Sequence, residues 1–273
     1  MTRTRRLLVA TSAAILAVAF GGCAGVGTAP SADPSGSPNA TTSELRGGLT
    51  IFAAASLSGA FDELATRFEA RHPGLDVAPI TYDGSSTLAT QLSEGAAADV
   101  FASADDRTMA TVAEAGLVDG DPATFASNVL EIAVQPGNPL GIDALDDLGA
   151  AASAQPLVVL CAPEVPCGHA AQTLFDRAGV DVTPVSEEQN VSAVLTKVRS
   201  GEADAGLVYV TDVQAADGAV EGIEIDGADA ATNTYPVAAL ADAANPEAAR
   251  EFVRFVRSAE GAEVLASFGF GPP

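Results

Sequence analysis

Tryptophan is absent from this 273-residue chain, tyrosine occurs three times, histidine twice, and lysine once, as Lys197. So few rings leave little to stack against a sugar or a nucleobase. Lysine and arginine together number 13 against 36 acidic residues, a formal net charge of −23. That balance excludes nucleic acid as a partner and excludes an electrostatic grip on anionic lipid, because both need a basic face. It also works against holding any anion through counter-ions. The histidines, His72 and His169, are the only ones available for acid–base work. No G-x-S-x-G turn accompanies a usable histidine and aspartate order, so a serine hydrolase, or any enzyme, is not expected. The sequence shows no internal repeat.

What the N-terminus does contain is an export signal. Arg3, Arg5 and Arg6 precede an apolar run at 7–20, and Gly21, Gly22 and Cys23 follow it. The run is of signal-core length and is short for a membrane-spanning helix. The Gly-Gly-Cys ending resembles the lipobox of bacterial lipoproteins, with Phe20 where that motif usually carries leucine. The resemblance implies a signal peptide at 1–22 and a lipid anchor on Cys23; ordinary cleavage beside an incidental cysteine is the alternative. Residues 24–48 are mostly glycine, proline, serine, threonine and alanine, with almost no large apolar side chain. Such a stretch cannot bury enough surface to offset its ordering entropy, and reads as a flexible linker over 23–48.

The other two cysteines stand six positions apart in Leu-Cys-Ala-Pro-Glu-Val-Pro-Cys-Gly, at 160–168. Pro163 and Pro166 favour a turn, and an exported protein can keep a Cys161–Cys167 disulfide. A metal site from Cys161, Cys167 and His169 is an alternative that lacks a fourth ligand and zinc spacing. A Cys167/His169 nucleophile lacks an orienting carboxylate.

From about Leu49 the pattern is globular, with about 225 residues that suit one large domain or two lobes. Strand-like runs at 49–54, 75–82 and 99–103 alternate with amphipathic helical runs, the first carrying Phe61, Leu64, Ala65 and Phe68 on one face and ending at His72-Pro73-Gly74. A strand at 129–135 opens a second set: strand 157–160, helices 168–178 and 191–199, strand 205–209. A last strand lies at 235–240, and Asn245-Pro246-Glu247 starts a helical tail in the order cap, first-turn proline, first-turn acid. Alternation of this kind argues for α/β architecture with parallel sheets covered by helices. The expected organisation is lobe 1 at 49–128, lobe 2 at 129–232 and a return to lobe 1 at 233–273. Ligands of such sheets sit beyond the carboxyl ends of the strands, here in the cleft between lobes.

Five motifs carry a family resemblance: Phe52-Ala-Ala-Ala-Ser-Leu-Ser-Gly-Ala-Phe, Gly84-Ser-Ser-Thr-Leu-Ala, Ala98-Asp-Val-Phe-Ala-Ser-Ala-Asp, Val165-Pro-Cys-Gly and Gly206-Leu-Val-Tyr. In order and spacing they resemble the periplasmic molybdate-binding proteins of ABC importers, from about Leu49 to the C-terminus. The resemblance implies the two-lobed type II periplasmic-binding-protein-like fold. It implies capture of molybdate or tungstate and delivery to a membrane permease driven by an ATPase; sulfate or phosphate on the same fold is the alternative. It implies a monomer without cofactor, working lipid-anchored at the extracytoplasmic face of the membrane. The matching ligand-binding positions are Ser56, Ser85, Cys167, Val191 and Tyr209, molybdenum being held only as its oxyanion. Ser86 competes with Ser85.

Read from the residues alone, these positions suit an anion. Each serine follows a strand and opens a helix, where unpaired N–H groups and the helix dipole favour negative charge. At Cys167 and Val191 the N–H matters more than the side chain, and Tyr209 can donate its phenolic hydrogen. Neutral donors aimed inward remove the conflict with the acidic composition. They also favour anions that carry no proton over hydrogen phosphate. Asp83, the one nearby acceptor, is expected to face solvent within its turn.

Overall fold

The computed structural model describes residues 44–150 and 152–273. The expected signal segment, Cys23 and most of the spacer lie outside the described residues. Part of the stretch read as spacer is structured: Leu45 is buried, and β1 (Arg46–Leu49) pairs in parallel with β3 (Gly74–Val77). Thr50 interrupts what reads as one continuous strand, its amide donating to Asp99 Oδ2 at 2.7 Å. The chain re-enters as β2 (Ile51–Ala54), buried along its whole length.

A 3-10 turn (Ala55–Leu57) leads into α1 (Ser58–Arg71), whose buried face holds Phe61, Leu64, Ala65 and Phe68 as the spacing predicts. His72 ends this helix and its ring lies 4.7 Å from that of Phe68. The single strand expected at 75–82 is two, β3 and β4 (Thr81–Asp83). Pro79 lies between them and has no N–H for a ladder. Helix α2 (Ser85–Ser93), β5 (Val100–Ala102), α3 (Asp106–Glu114) and β6 (Ala123–Asn128) complete the first pass through lobe 1.

Lobe 2 contains β7 (Leu130–Val134), β8 (Val158–Cys161), α4 (Pro166–Ala178), β9 (Ser186–Glu188), α5 (Val191–Ser200), β10 (Ala205–Tyr209), α6 (Val210–Ala215) and β11 (Glu221–Glu224). Its helices carry the expected punctuation. Pro166 occupies the first turn of α4, Asn190 caps α5, and Gly179 and Gly201 end the two helices with φ of 70° and 77°. The chain then returns to lobe 1 as β12 (Asn233–Ala239) and closes with α7 (Pro246–Val256) and α8 (Ala259–Ser267).

Each lobe has one five-stranded sheet, in the orders β4-β2-β5-β12-β6 and β9-β8-β10-β7-β11. The two orders match position by position, although no repeat is visible in the sequence. Both sheets are mixed rather than parallel. In lobe 1 β12 runs antiparallel to β5 and β6, and in lobe 2 β7 runs antiparallel to β10 and β11. These are the strands that arrive from the opposite lobe, so no right-handed βαβ crossover sets their direction.

The cores differ. In lobe 1, Phe61, Phe68, Phe125 and Phe252 interlock with ring centroids 5.2–6.0 Å apart. Lobe 2 is built chiefly from aliphatic side chains such as Ile132, Val159, Val194 and Leu207. What positions the site is common to both: β2, β4, β8, β9 and β10 all end at the cleft and hand over to a helix or turn there.

Candidate functional site

A small pocket lies where those strand ends meet, and it is lined by Ser56, Ser85, Cys167, Val191 and Tyr209 together. It is far tighter than the clefts that hold drug-sized ligands, so it suits only a very small one. All five expected residues therefore come to one place, although Ser56 and Tyr209 are 153 positions apart. No arginine, lysine or histidine is among the lining residues; Asp83 is the one charged group there.

Most of the helix and turn starts at this pocket lack a side-chain cap. Helices α3, α7 and α8 each have a side-chain cap, from Asp105, Asn245 and Ser258. The turn at Ala55–Leu57, α2 and α4 have no side-chain cap, which leaves first-turn N–H groups open toward the pocket. In α5 the Asn190 side chain accepts from Ala193 N–H at 2.9 Å, which does not involve the amide of Val191, the first helical residue. Uncapped N-termini leave N–H donors and dipole potential available to an anion.

The hydroxyls are arranged to donate as well. Ser85 is buried, and its Oγ accepts from Ala104 N–H at 2.9 Å. That amide can only donate, so the Ser85 hydrogen is free for another acceptor. Ser56 Oγ lies 3.0 Å from the hydroxyl of Tyr235. Tyr209 is buried, and its Oη finds no hydrogen-bond partner among the described residues. Burial, with the neighbouring Tyr235, Asp212 and Asp105, pushes the Tyr209 phenol well up, so it keeps its hydrogen. Behind it the carboxylate of Asp212 accepts from Tyr209 N–H at 2.9 Å, and burial raises this carboxyl to about 7.

Close backbone packing shapes the walls. A Cβ at Gly84 would fall 1.9 Å from Gln189 O of the other lobe, and one at Gly168 would fall 2.0 Å from Ala162 O. Cys161 and Cys167 form a disulfide (S–S 2.04 Å) that ties the end of β8 to the first turn of α4. Among the described residues no group of three or more His, Cys, Asp or Glu could hold a metal ion.

Some placements differ from expectation. Asp83 does not face solvent: it is half-buried in the pocket wall. Its Oδ1 accepts from Gly84 N–H at 2.7 Å and from Asn190 Nδ2 at 2.8 Å, so it bridges the lobes. The partner that turns it inward lies 107 positions away, beyond any local reading of the turn. Ser86 lines a neighbouring cavity, with Arg107 and Glu164, rather than this pocket. Sequence reasoning also missed Ala104 and Tyr235, which support the two serines. Ala104 follows a strand end, as the other site residues do, and that position was the available signal.

Residues 49–271 match the bacterial extracellular solute-binding proteins. The molybdate-binding protein ModA of Mycobacterium tuberculosis is 42% identical over 250 residues, 92% of this chain and 94% of that protein. Among solved structures, the sulfate-binding protein SubI of M. tuberculosis superposes with a TM-score of 0.72 at 18% identity, over 82% of this chain and 86% of that one. The periplasmic molybdate-binding protein of Azotobacter vinelandii gives a TM-score of 0.69 at 18% identity, over 82% and 99%.

Proposed function

The chain belongs to the bacterial extracellular solute-binding proteins, and we propose that it captures molybdate or tungstate for an ABC importer. The observation that carries this reading is the pocket's donor set. Serine hydroxyls, a buried unpartnered tyrosine hydroxyl and uncapped helix starts converge there with no cationic side chain. Such a set suits a small dianion that accepts hydrogen bonds and donates none, since the one acceptor in the wall, Asp83, already has its Oδ1 occupied by Gly84 N–H and Asn190 Nδ2. Hydrogen bonds to a charged group contribute about 1.5–3 kcal/mol each, so about six of them sustain micromolar or tighter binding after association costs. Ser56, Ser85 and Tyr209 donate through hydroxyls, and Cys167 and Val191 through backbone N–H groups. The relative at 42% identity, a molybdate-binding protein by name, favours molybdate over sulfate.

The lobes are held together by Asp83 with Asn190 and by Arg107 Nη2 donating to Glu164 O at 2.9 Å, contacts that closure around a ligand would form. The loaded protein delivers its anion to a membrane permease and its ATPase, tethered at the extracytoplasmic face through Cys23. Isothermal titration of the mature chain with molybdate, tungstate, sulfate and phosphate tests the ligand. Micromolar or tighter binding of molybdate and tungstate is expected; binding of sulfate alone would overturn the ligand and keep the class.

A further inference from the structure

We propose that Tyr235 is a positioning residue for the anion: its hydroxyl donates to Ser56 Oγ and so commits the Ser56 hydrogen to the pocket. The inference rests on the oxyanion reading above and assigns a role to a residue that does not line the pocket. Tyr235 lies in β12, in the part of the chain that returns to lobe 1, and is fully buried. Its Oη is 3.0 Å from Ser56 Oγ, 179 positions earlier, with the Tyr209 ring 6.0 Å away centroid to centroid.

The direction of this hydrogen bond follows from chemistry. A phenol is the better donor and an alkyl hydroxyl the better acceptor, and each has one hydrogen to place. Burial pushes the Tyr235 phenol far up, so it always carries that hydrogen. Asn128 and Tyr209 are its other polar neighbours. The Oδ1 of Asn128 already accepts from Val129 N–H, and Tyr209 Oη has no hydrogen-bond partner among the described residues, which leaves Ser56 Oγ as the acceptor within reach. If Tyr235 gives its hydrogen to Ser56, the Ser56 hydrogen is left for the anion.

Ser85 provides the internal comparison. There a backbone N–H, from Ala104, occupies the serine oxygen and the same outcome is unambiguous. The two serines of the pocket thus share one device, a buried donor behind each oxygen that turns the hydroxyl into a donor facing the ligand. The consequence is selective. With both oxygens occupied from behind, neither serine readily accepts a proton from the ligand, and hydrogen phosphate loses a partner.

The test is Tyr235→Phe, which keeps the ring packed against Phe125, Tyr209 and Phe270. It is compared with Ser56→Ala and the double variant by titration with molybdate and with phosphate. Tyr235→Phe should weaken molybdate about 5- to 20-fold and narrow the preference for molybdate over phosphate. In the Ser56→Ala background it should add less than about twofold, since its effect passes through that serine. Unchanged molybdate binding in Tyr235→Phe, or effects that multiply in the double variant, would overturn the proposal and leave the oxyanion reading standing. A wild-type chain that binds none of the four anions would overturn both. Should the phenylalanine variant fail to fold, 3-fluorotyrosine at position 235 strengthens the donor and keeps the hydroxyl. Tighter molybdate binding is then expected, and equal or weaker binding would count against the role.

Discussion

The two lobes bring the same sheet order to the cleft but a different balance of donors. Lobe 1 adds two hydroxyls, Ser56 and Ser85, to the uncapped starts of its 3-10 turn and α2, each hydroxyl with a buried partner at its oxygen. Lobe 2 presents helix starts at Cys167 and Val191, whose side chains are a disulfide sulfur and an isopropyl group, together with the Tyr209 hydroxyl. A side-chain donor is removed by one ordinary substitution. A backbone donor survives almost every substitution but is sensitive to where the helix begins. Lobe 1 is therefore the half whose specificity changes by point mutation, and lobe 2 the half that depends on rigid placement. The constraints follow that division: Pro166, the disulfide and the tightly wrapped Gly168 all lie at the start of α4.

The largest effect is expected from deleting one donor on each side. Ser85→Ala removes a hydroxyl and leaves Ala104 N–H buried without its partner, so molybdate affinity should fall about 10- to 100-fold. The counterpart in lobe 2 is Val191→Pro. Proline is favoured at a first helical position, and Asn190, at φ −154° and ψ 162°, already has the extended conformation that precedes proline. The helix should persist while the Val191 N–H disappears, with a loss of about 10-fold. Titration calorimetry reads both. If Val191→Pro bound molybdate as the wild type does, lobe 2 would not be a backbone-donor surface.

The limits of sequence reading follow the same divide between local and long-range order. Ser56, Ser85, Cys167, Val191 and Tyr209 were named from the family resemblance; each also sits where a strand hands over to a helix, a local pattern, and the fold brings them to one pocket. The edge strands β9 (Ser-Glu-Glu) and β11 (Glu-Gly-Ile-Glu) were not, since a polar edge strand with one partner shows no apolar alternation. Asp83 and Tyr235 were misjudged or missed because Asn190 and Ser56, which define their roles, are distant in sequence. The mixed direction of the sheets was hidden for a related reason. Alternation of strands and helices reveals βαβ units but not a strand that crosses over from the other lobe.

A smaller effect should follow from loosening lobe 2 without removing a donor. Replacing Cys161 and Cys167 together by alanine keeps the residue 167 N–H but frees the start of α4. Loop-entropy reasoning for so short a ring gives about 2 kcal/mol of lost stability, a melting temperature lower by about 4–8 °C. Molybdate affinity should fall only about three- to fivefold, because the helix start wanders but its amides remain. Thermal unfolding and titration on the same samples separate the two. A loss as large as that of Ser85→Ala would mean that the sulfur, rather than the amide, meets the anion.

The smallest effect on binding is expected from Val191→Ala, and it sharpens the comparison most. Val191 is buried and belongs to the lobe 2 core, so trimming it should cost about 1–2 kcal/mol of stability. Alanine is a better helix former than valine and keeps the N–H at the first helical position. Affinity for molybdate should then stay within about twofold of the wild type while stability falls. Ser85→Ala should show the opposite ratio, with a large change in affinity. Its stability cost should be that of one buried amide left without a partner, about 1–3 kcal/mol. If Val191→Ala weakened binding as much as Val191→Pro does, the isopropyl group would be shaping the pocket, and lobe 2 would recognise its ligand through side chains after all.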